Sequence, residues 1–221
     1  IVSALKPANK AEAYHDAVGY RDEVLSLFNL NHVTLVQRVL AEDIFWAIAL
    51  KILRLVREMP EIPEELAGLE RALADTYFCN FSIFQSLPDS WAIDQLFPIM
   101  PVHRLDERPT RTGVLADITC DSDGKIDHFV SLRETKRSLE LHDLRPEEPY
   151  YIAFFLVGAY QETLGDLHNL FGDTHVVHIK LHDEGGWWIE ETVKGDSAAE
   201  VLRYMQYDVE RLVPQFARDC E

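Results

Sequence analysis

Tyr77-Phe-Cys-Asn-Phe-Ser-Ile-Phe84 is where the sequence changes its period. Upstream, from Ala11 to about Met59, there is no proline and one glycine, and apolar residues recur three and four apart: Val24, Leu27 and Phe28, then Leu35, Val36, Val39 and Leu40, then Phe45, Ile48, Ala49 and Ile52. That spacing predicts amphipathic helices. Pro60-Glu61-Ile62-Pro63 stops the run, and Glu64 to Asp75 restarts it with acidic residues at its head, where the helix dipole favours them. Downstream, Tyr77–Phe84, Leu96–Val102, Gly113–Thr119, Tyr150–Val157, His175–Leu181 and Trp187–Val193 are short β-branched or aromatic runs, most of them separated by turn residues. They predict strands. Ser197 to Phe216 returns to helical spacing, with Ser197 as N-cap, Glu200 three residues on, and Val201, Leu202, Met205, Val209 and Leu212 as the buried stripe. The expected fold class is α+β. A helical segment would cover residues 1–75, an antiparallel β-sandwich or barrel-like domain 76–196, and a C-terminal helix 197–221.

Composition narrows the function classes. Of 221 residues, 47% are hydrophobic and 27% charged, enough apolar material for a real core and unlike a disordered chain. Lys and Arg number 21 against 38 Asp and Glu, a formal charge of −17 that repels phosphate backbones and anionic bilayers. Nucleic acid and membrane are therefore not expected partners. The longest apolar run, Tyr150–Tyr160, falls well short of the roughly 20 residues a helix needs to cross a bilayer. Position 1 is Ile, and the missing Met suggests a fragment of a longer chain; no secretory signal pattern is visible. Cys79, Cys120 and Cys220, widely and unequally spaced, fit free thiols in a reducing compartment; a cytoplasmic location is expected.

The densest polar cluster is Asp117-Ile-Thr-Cys120-Asp121-Ser-Asp123-Gly124, directly after an apolar run. It reads as turn chemistry between strands, or as a loop tip presenting a thiol and two carboxylates to a cation such as a guanidinium. Composition does not choose between them. A helix-loop-helix calcium site starting at Thr119 is rejected, because its twelfth position is Val130 where a glutamate is needed. Gly158 ends an apolar strand and would permit a special backbone or a close approach. Tyr160, at the strand exit, reads as a half-buried packing residue or as a hydroxyl placed to donate to a phosphate. His175 and His178, three apart on a strand, point to opposite faces and would not share a zinc ion without a bulge. His168 and Asn169 read as a turn or short helix after Tyr160, with satisfied polar surface.

The stretches Tyr77–Trp91, Pro98–Pro109, Cys120–Gly124, and Gly158–Gln161 through Phe171–Thr174 resemble the biosynthetic arginine decarboxylases, pyridoxal-phosphate enzymes of the alanine racemase-like fold class. The resemblance implies the helical insertion and β domain of that family without its cofactor-binding barrel. It implies conversion of L-arginine to agmatine and carbon dioxide, on the way to putrescine and spermidine. Cys120 and Asp121 would enter a partner subunit's active site across a homodimer or larger homo-oligomer. There Asp121 would bind the substrate guanidinium, and Cys120 would stand beside the cofactor's reactive carbon as a catalytic group. Asp123 would assist electrostatically. Tyr160 would donate to the cofactor phosphate in its own subunit. The lysine that holds the cofactor would lie on the barrel, so none here takes that role, and the fragment would be inactive alone. Magnesium accompanies the family, yet no ligand set, and hence no metal site, is assigned. The rival expectation is a catalytically inactive, decarboxylase-like binding or regulatory module.

Overall fold

A computed structural model describes residues 9–57, 59, 66, 68–132 and 135–220. The Pro60–Pro63 interruption and the acidic head of the segment after it lie outside the described residues. The chain divides into two units, Ile1–Ala74 and Asp75–Glu221.

The first unit is built on two long helices, α1 (Lys10–Asn29) and α2 (Leu35–Arg57), followed by the single turn α3 (Leu69–Ala72). The reversal between α1 and α2 uses Asn31 at φ 59°, and α2 starts on a reciprocal cap: the Gln37 side chain accepts from the Thr34 N–H at 2.8 Å while the Thr34 hydroxyl accepts from the Gln37 N–H at 3.3 Å. Small residues let the helices approach. Ala13 and Ala17 of α1 meet Phe45, Ile48, Ala49, Ile52, Leu53 and Val56 of α2, with Leu66 and Leu69 closing the cluster. The predicted stripe is buried only in this second half of α2. Leu35, Val36, Val39 and Leu40 are exposed, because near the turn only two helices flank one another among the described residues.

In the second unit, α+β architecture follows from one central strand, β3 (Arg111–Ala116). It pairs in parallel with β1 (Asp75–Phe78), and antiparallel with β4 (Lys125–Ile126) near one end and β5 (Leu139–Leu141) near the other. Two further antiparallel pairs join β2 (Ile99–Pro101) to β6 (Ile152–Phe154) and β7 (Val176–Leu181) to β8 (Trp187–Val193). The last is a hairpin whose reversal uses Gly185 and Gly186 at φ 94° and 97°, a conformation that costs glycine nothing. Helices α4 (Ile83–Ser86), α5 (Pro88–Ala92) and α6 (Ala159–Leu164) stand between the sheets in chain order, and α7 (Ala198–Tyr204) and α8 (Val209–Asp219) end the unit. Its core gathers Tyr77, Phe81, Ile83, Phe84, Leu87, Phe97, Leu115, Ile126, Phe129 and Leu141.

Four expectations change. The run Tyr77–Phe84 is not one strand: pairing ends at Phe78, and the Ser82 hydroxyl accepts from the Gln85 N–H at 3.3 Å to start α4. In Tyr150–Val157 only Ile152–Phe154 pair, and Leu156 turns out of the strand at φ 62°. Gly158 is extended at φ −119°, ψ 176°, with open space where a Cβ would stand, so neither special backbone nor close approach explains it. The final helix is two. Ser197 and Glu200 form the expected capping box, but Gln206 at φ 66° closes α7 in a Schellman turn, with the Tyr207 N–H donating to Leu202 O and the Gln206 N–H to Arg203 O. Of the expected stripe only Val201 is buried.

Tyr77 locks β1 into this sheet. Its ring covers Gly113, where an added Cβ would come within 2.7 Å of the ring, and its hydroxyl donates to His142 O at 2.8 Å. Burial, reinforced by the nearby Asp75 charge, pushes the phenol up to about 12 from 10. A phenolate cannot donate that bond. The folded state therefore holds this proton more tightly than the unfolded chain, and the stabilisation, complete below pH 10, is lost as pH rises toward 12. Alkaline unfolding should steepen between those values, and Tyr77→Phe should flatten that part of the profile; equal slopes would remove Tyr77 from the linkage.

Candidate functional site

The loop between β3 and β4 is shaped by its buried carboxylate. Asp117, 3% exposed, accepts from the Ile83 N–H at 3.0 Å through Oδ2, and from the Thr119 N–H and hydroxyl at 2.9 and 2.8 Å through Oδ1. One side chain thus holds both the start of α4 and the first turn of the loop. The main chain closes the loop below it, with the Asp117 N–H donating to Gly124 O at 2.8 Å and the Gly124 N–H to Asp121 O at 3.2 Å. Only glycine fits position 124: a Cβ there would lie 2.1 Å from Asp117 Oδ1.

Above this base the tip is exposed. Cys120 and Asp121 both face solvent, and Asp121 Oδ1 accepts from the Asp123 N–H at 2.9 Å. No ion pair engages Asp121 or Asp123 among the described residues. Each carboxylate oxygen accepts more than one hydrogen bond, so Asp121 can still take two parallel N–H groups from a planar cation. The turn reading holds at Asp117, and the tip above it exposes a thiol and two carboxylates. Cys79 is a different kind of thiol, since burial pushes it up to about 11 and leaves it protonated near neutrality.

Tyr160 lies in the first turn of α6, not at a strand exit, and is 68% exposed, so it is not the half-buried packing residue considered from sequence. The helix beneath it is anchored by its neighbour. Gln161 Nε2 donates to Asp89 Oδ2 at 2.7 Å, Gln161 Oε1 accepts from the Asp89 N–H at 3.0 Å, and the Asp166 N–H donates to Phe84 O at 3.3 Å. Helix α4 therefore carries both parts: its first N–H is fixed by the Asp117 loop and its Phe84 carbonyl receives the segment after α6. Among the described residues no hydrogen bond or ion pair joins Tyr160 to Cys120 or Asp121.

Two residues gain a place that sequence spacing did not give them. His168, expected as satisfied polar surface, is partly buried with its ring centroid 4.6 Å from that of Phe84, and its Nε2 has no hydrogen-bond partner. Asn169 donates from Nδ2 to Cys120 Sγ at 3.3 Å. His175 Nδ1 accepts from the Gly195 N–H, and His178 stands 3.9 Å from Glu191. No group of three His, Cys, Asp or Glu side chains is arranged to hold a metal ion among the described residues, and no described helix is long and apolar enough to cross a membrane.

The fold and the loop define a helical-bundle segment joined to an α+β unit that displays an acidic thiol loop. Residues 1–70 match the arginine decarboxylase helical bundle domain. The chain is 58% identical to the biosynthetic arginine decarboxylase of Gloeobacter violaceus, over 98% of its own length and 34% of that protein, and 53% identical to that of Nostoc sp., over 99% and 32%. The crystal structure of the biosynthetic arginine decarboxylase SpeA from Campylobacter jejuni is similar with a TM-score of 0.71 and 37% identity, covering 97% of this chain and 33% of that one. The chain is a homologue of the biosynthetic arginine decarboxylases, and it spans about a third of the length of the curated relatives it matches.

Proposed function

We propose that this chain is the part of a pyridoxal-phosphate-dependent arginine decarboxylase that completes the active site of a neighbouring subunit, in a cytoplasmic homodimer or larger homo-oligomer converting L-arginine to agmatine and carbon dioxide for polyamine biosynthesis. The observation that carries it is the exposed Cys120-Asp121 tip, free of ion pairs among the described residues and clamped from below by buried Asp117. A tip held this way can enter a neighbour's pocket without first being ordered, which spares the entropy of fixing it.

When bound, pyridoxal phosphate supplies the electron sink that loss of carbon dioxide requires. The residues here fit a supporting share of its site. The exposed phenol of Tyr160 can donate to a phosphate oxygen, and α6, pinned through Gln161, fixes where that phenol sits. Asp121 accepts the guanidinium of arginine through two parallel bonds, selecting a planar cation at a set distance from the reacting carbon. Asp123, exposed on the same loop, adds negative potential. Cys120 Sγ holds a proton beside that carbon and transfers it once carbon dioxide has left. No magnesium site is proposed, since the described donors do not converge on one.

A shared site has a distinctive test. Full-length subunits carrying Asp121→Ala should be mixed with subunits in which the cofactor-binding lysine of the remaining two thirds is replaced. Each parent is expected to be nearly inactive, and the mixture to recover up to about a quarter of normal activity through hybrid sites, since orientation lost in one subunit is supplied intact by the other. A mixture no more active than its parents places the tip outside the partner's site.

A further inference from the structure

We infer that Asn169 is a positioning residue for Cys120, fixing the direction in which the thiol faces the reacting carbon. The inference deepens the proposed function and rests on that reading of Cys120. Asn169 and Cys120 are 49 residues apart in sequence, yet the amide donates to Sγ at 3.3 Å, joining the β3–β4 loop to the segment that follows α6. A cysteine side chain has a single rotatable bond before the sulfur, and at an exposed tip its staggered positions are otherwise close in energy. One directed hydrogen bond selects among them.

The backbone under Asn169 is unusual in a way that serves this contact. The 3-10 turn His168–Leu170 holds Asn169 at φ 56°, ψ 21° and Leu170 at φ 58°, two consecutive non-glycine residues in the left-handed region. Asparagine tolerates that region better than most residues, whereas leucine does so only under constraint from its surroundings. The constraint is visible. The Leu170 N–H donates to Leu167 O at 2.8 Å, the His168 ring packs on Phe84, and Phe84 packs edge-on against Trp91 at 5.2 Å. The same α4 that Asp117 starts thus supports the turn that carries Asn169, so both ends of the Asn169–Cys120 bond are referred to one rigid element.

The test uses the full-length decarboxylase and two variants that accept the left-handed backbone. Asn169→Gly removes the amide; Asn169→Asp keeps its shape and exchanges the donor for an acceptor. Both should lower kcat by about tenfold while KM for arginine stays within about twofold, because the lost element orients a proton donor and does not bind substrate. In a Cys120→Ala background, Asn169→Gly should cost nothing more. Independently of activity, alkylation of Cys120 by iodoacetamide, resolved by mass spectrometry, should slow about threefold in Asn169→Gly, since the attacking thiolate loses the N–H that stabilises its charge, with exposed Cys220 unchanged as the internal control. If Cys120→Ala is impaired but Asn169→Gly alters neither its alkylation nor kcat, or the two losses simply add, Asn169 has no positioning role. If Cys120→Ala keeps full kcat, the proposed role of the thiol itself fails, and that of Asn169 with it.

Discussion

Asp121→Ala in the full-length protein should lower kcat/KM for arginine by at least about 30-fold, or roughly 2 kcal/mol, while leaving the melting temperature unchanged. The size follows from what is lost. A guanidinium moved from water into a closed pocket keeps its desolvation cost when its carboxylate partner disappears, and removing one partner of a charge-assisted bond exposes that cost in full. Stability should not move because Asp121 is exposed and, among the described residues, its carboxylate accepts only from the Asp123 N–H, which water can replace. Asp121→Asn is the sharper comparison. It keeps the shape and one acceptor oxygen but presents N–H to N–H at the second, so it should lose most of what alanine loses. Arginine kinetics matching the parent in both variants would remove Asp121 from the substrate site.

The features legible in sequence are those set within a few residues. The β7–β8 hairpin follows from Gly185-Gly186 between two apolar runs, and the start of α7 follows from Ser197 with Glu200 three positions on. The bundle helices follow from spacing, though not which half of α2 is covered, because Leu40 and Phe45 are equally apolar and only packing distinguishes them. What stays hidden depends on distant partners. Phe81-Ser-Ile-Phe84 reads as strand by propensity, but the Ser82 hydroxyl and the carboxylate of Asp117, 34 residues later, satisfy the N–H groups of a helix start instead. The break after Tyr204 has no glycine to announce it: Gln206 takes the left-handed position.

The candidate site divides the same way. Cys120 and Asp121 stand out by resemblance and by residue type. Nothing local separates Asp117 from Asp121 and Asp123, three carboxylates within seven residues, of which one is buried and two are exposed. Asn169 is invisible for the same reason. Its value lies in a bond to a sulfur 49 residues away, and a His-Asn pair after Asp166 otherwise carries only turn chemistry.

Replacing Asp117 should produce the opposite signature to replacing Asp121. Asp117→Ala strips acceptors from the buried Ile83 N–H and from the Thr119 N–H, at about 1–3 kcal/mol for each donor left unsatisfied, so both the stability of the second unit and the shape of the tip should suffer. Asp117→Asn cannot rescue it, because in either orientation the amide NH2 would face a donor, the Ile83 N–H or the Thr119 N–H. Gly124→Ala should resemble it, since a methyl 2.1 Å from Asp117 Oδ1 must displace the carboxylate. Hydrogen exchange in the full-length protein gives the local readout: amides of Ile83 and Thr119 should lose protection in Asp117→Ala and Gly124→Ala and keep it in Asp121→Ala. Arginine kinetics should fall in all three. If Asp117→Ala melts the loop yet leaves decarboxylation intact, a rigid tip is not what the chemistry uses, because a loop without its base cannot hold Asp121 at a fixed distance from a partner's reacting carbon.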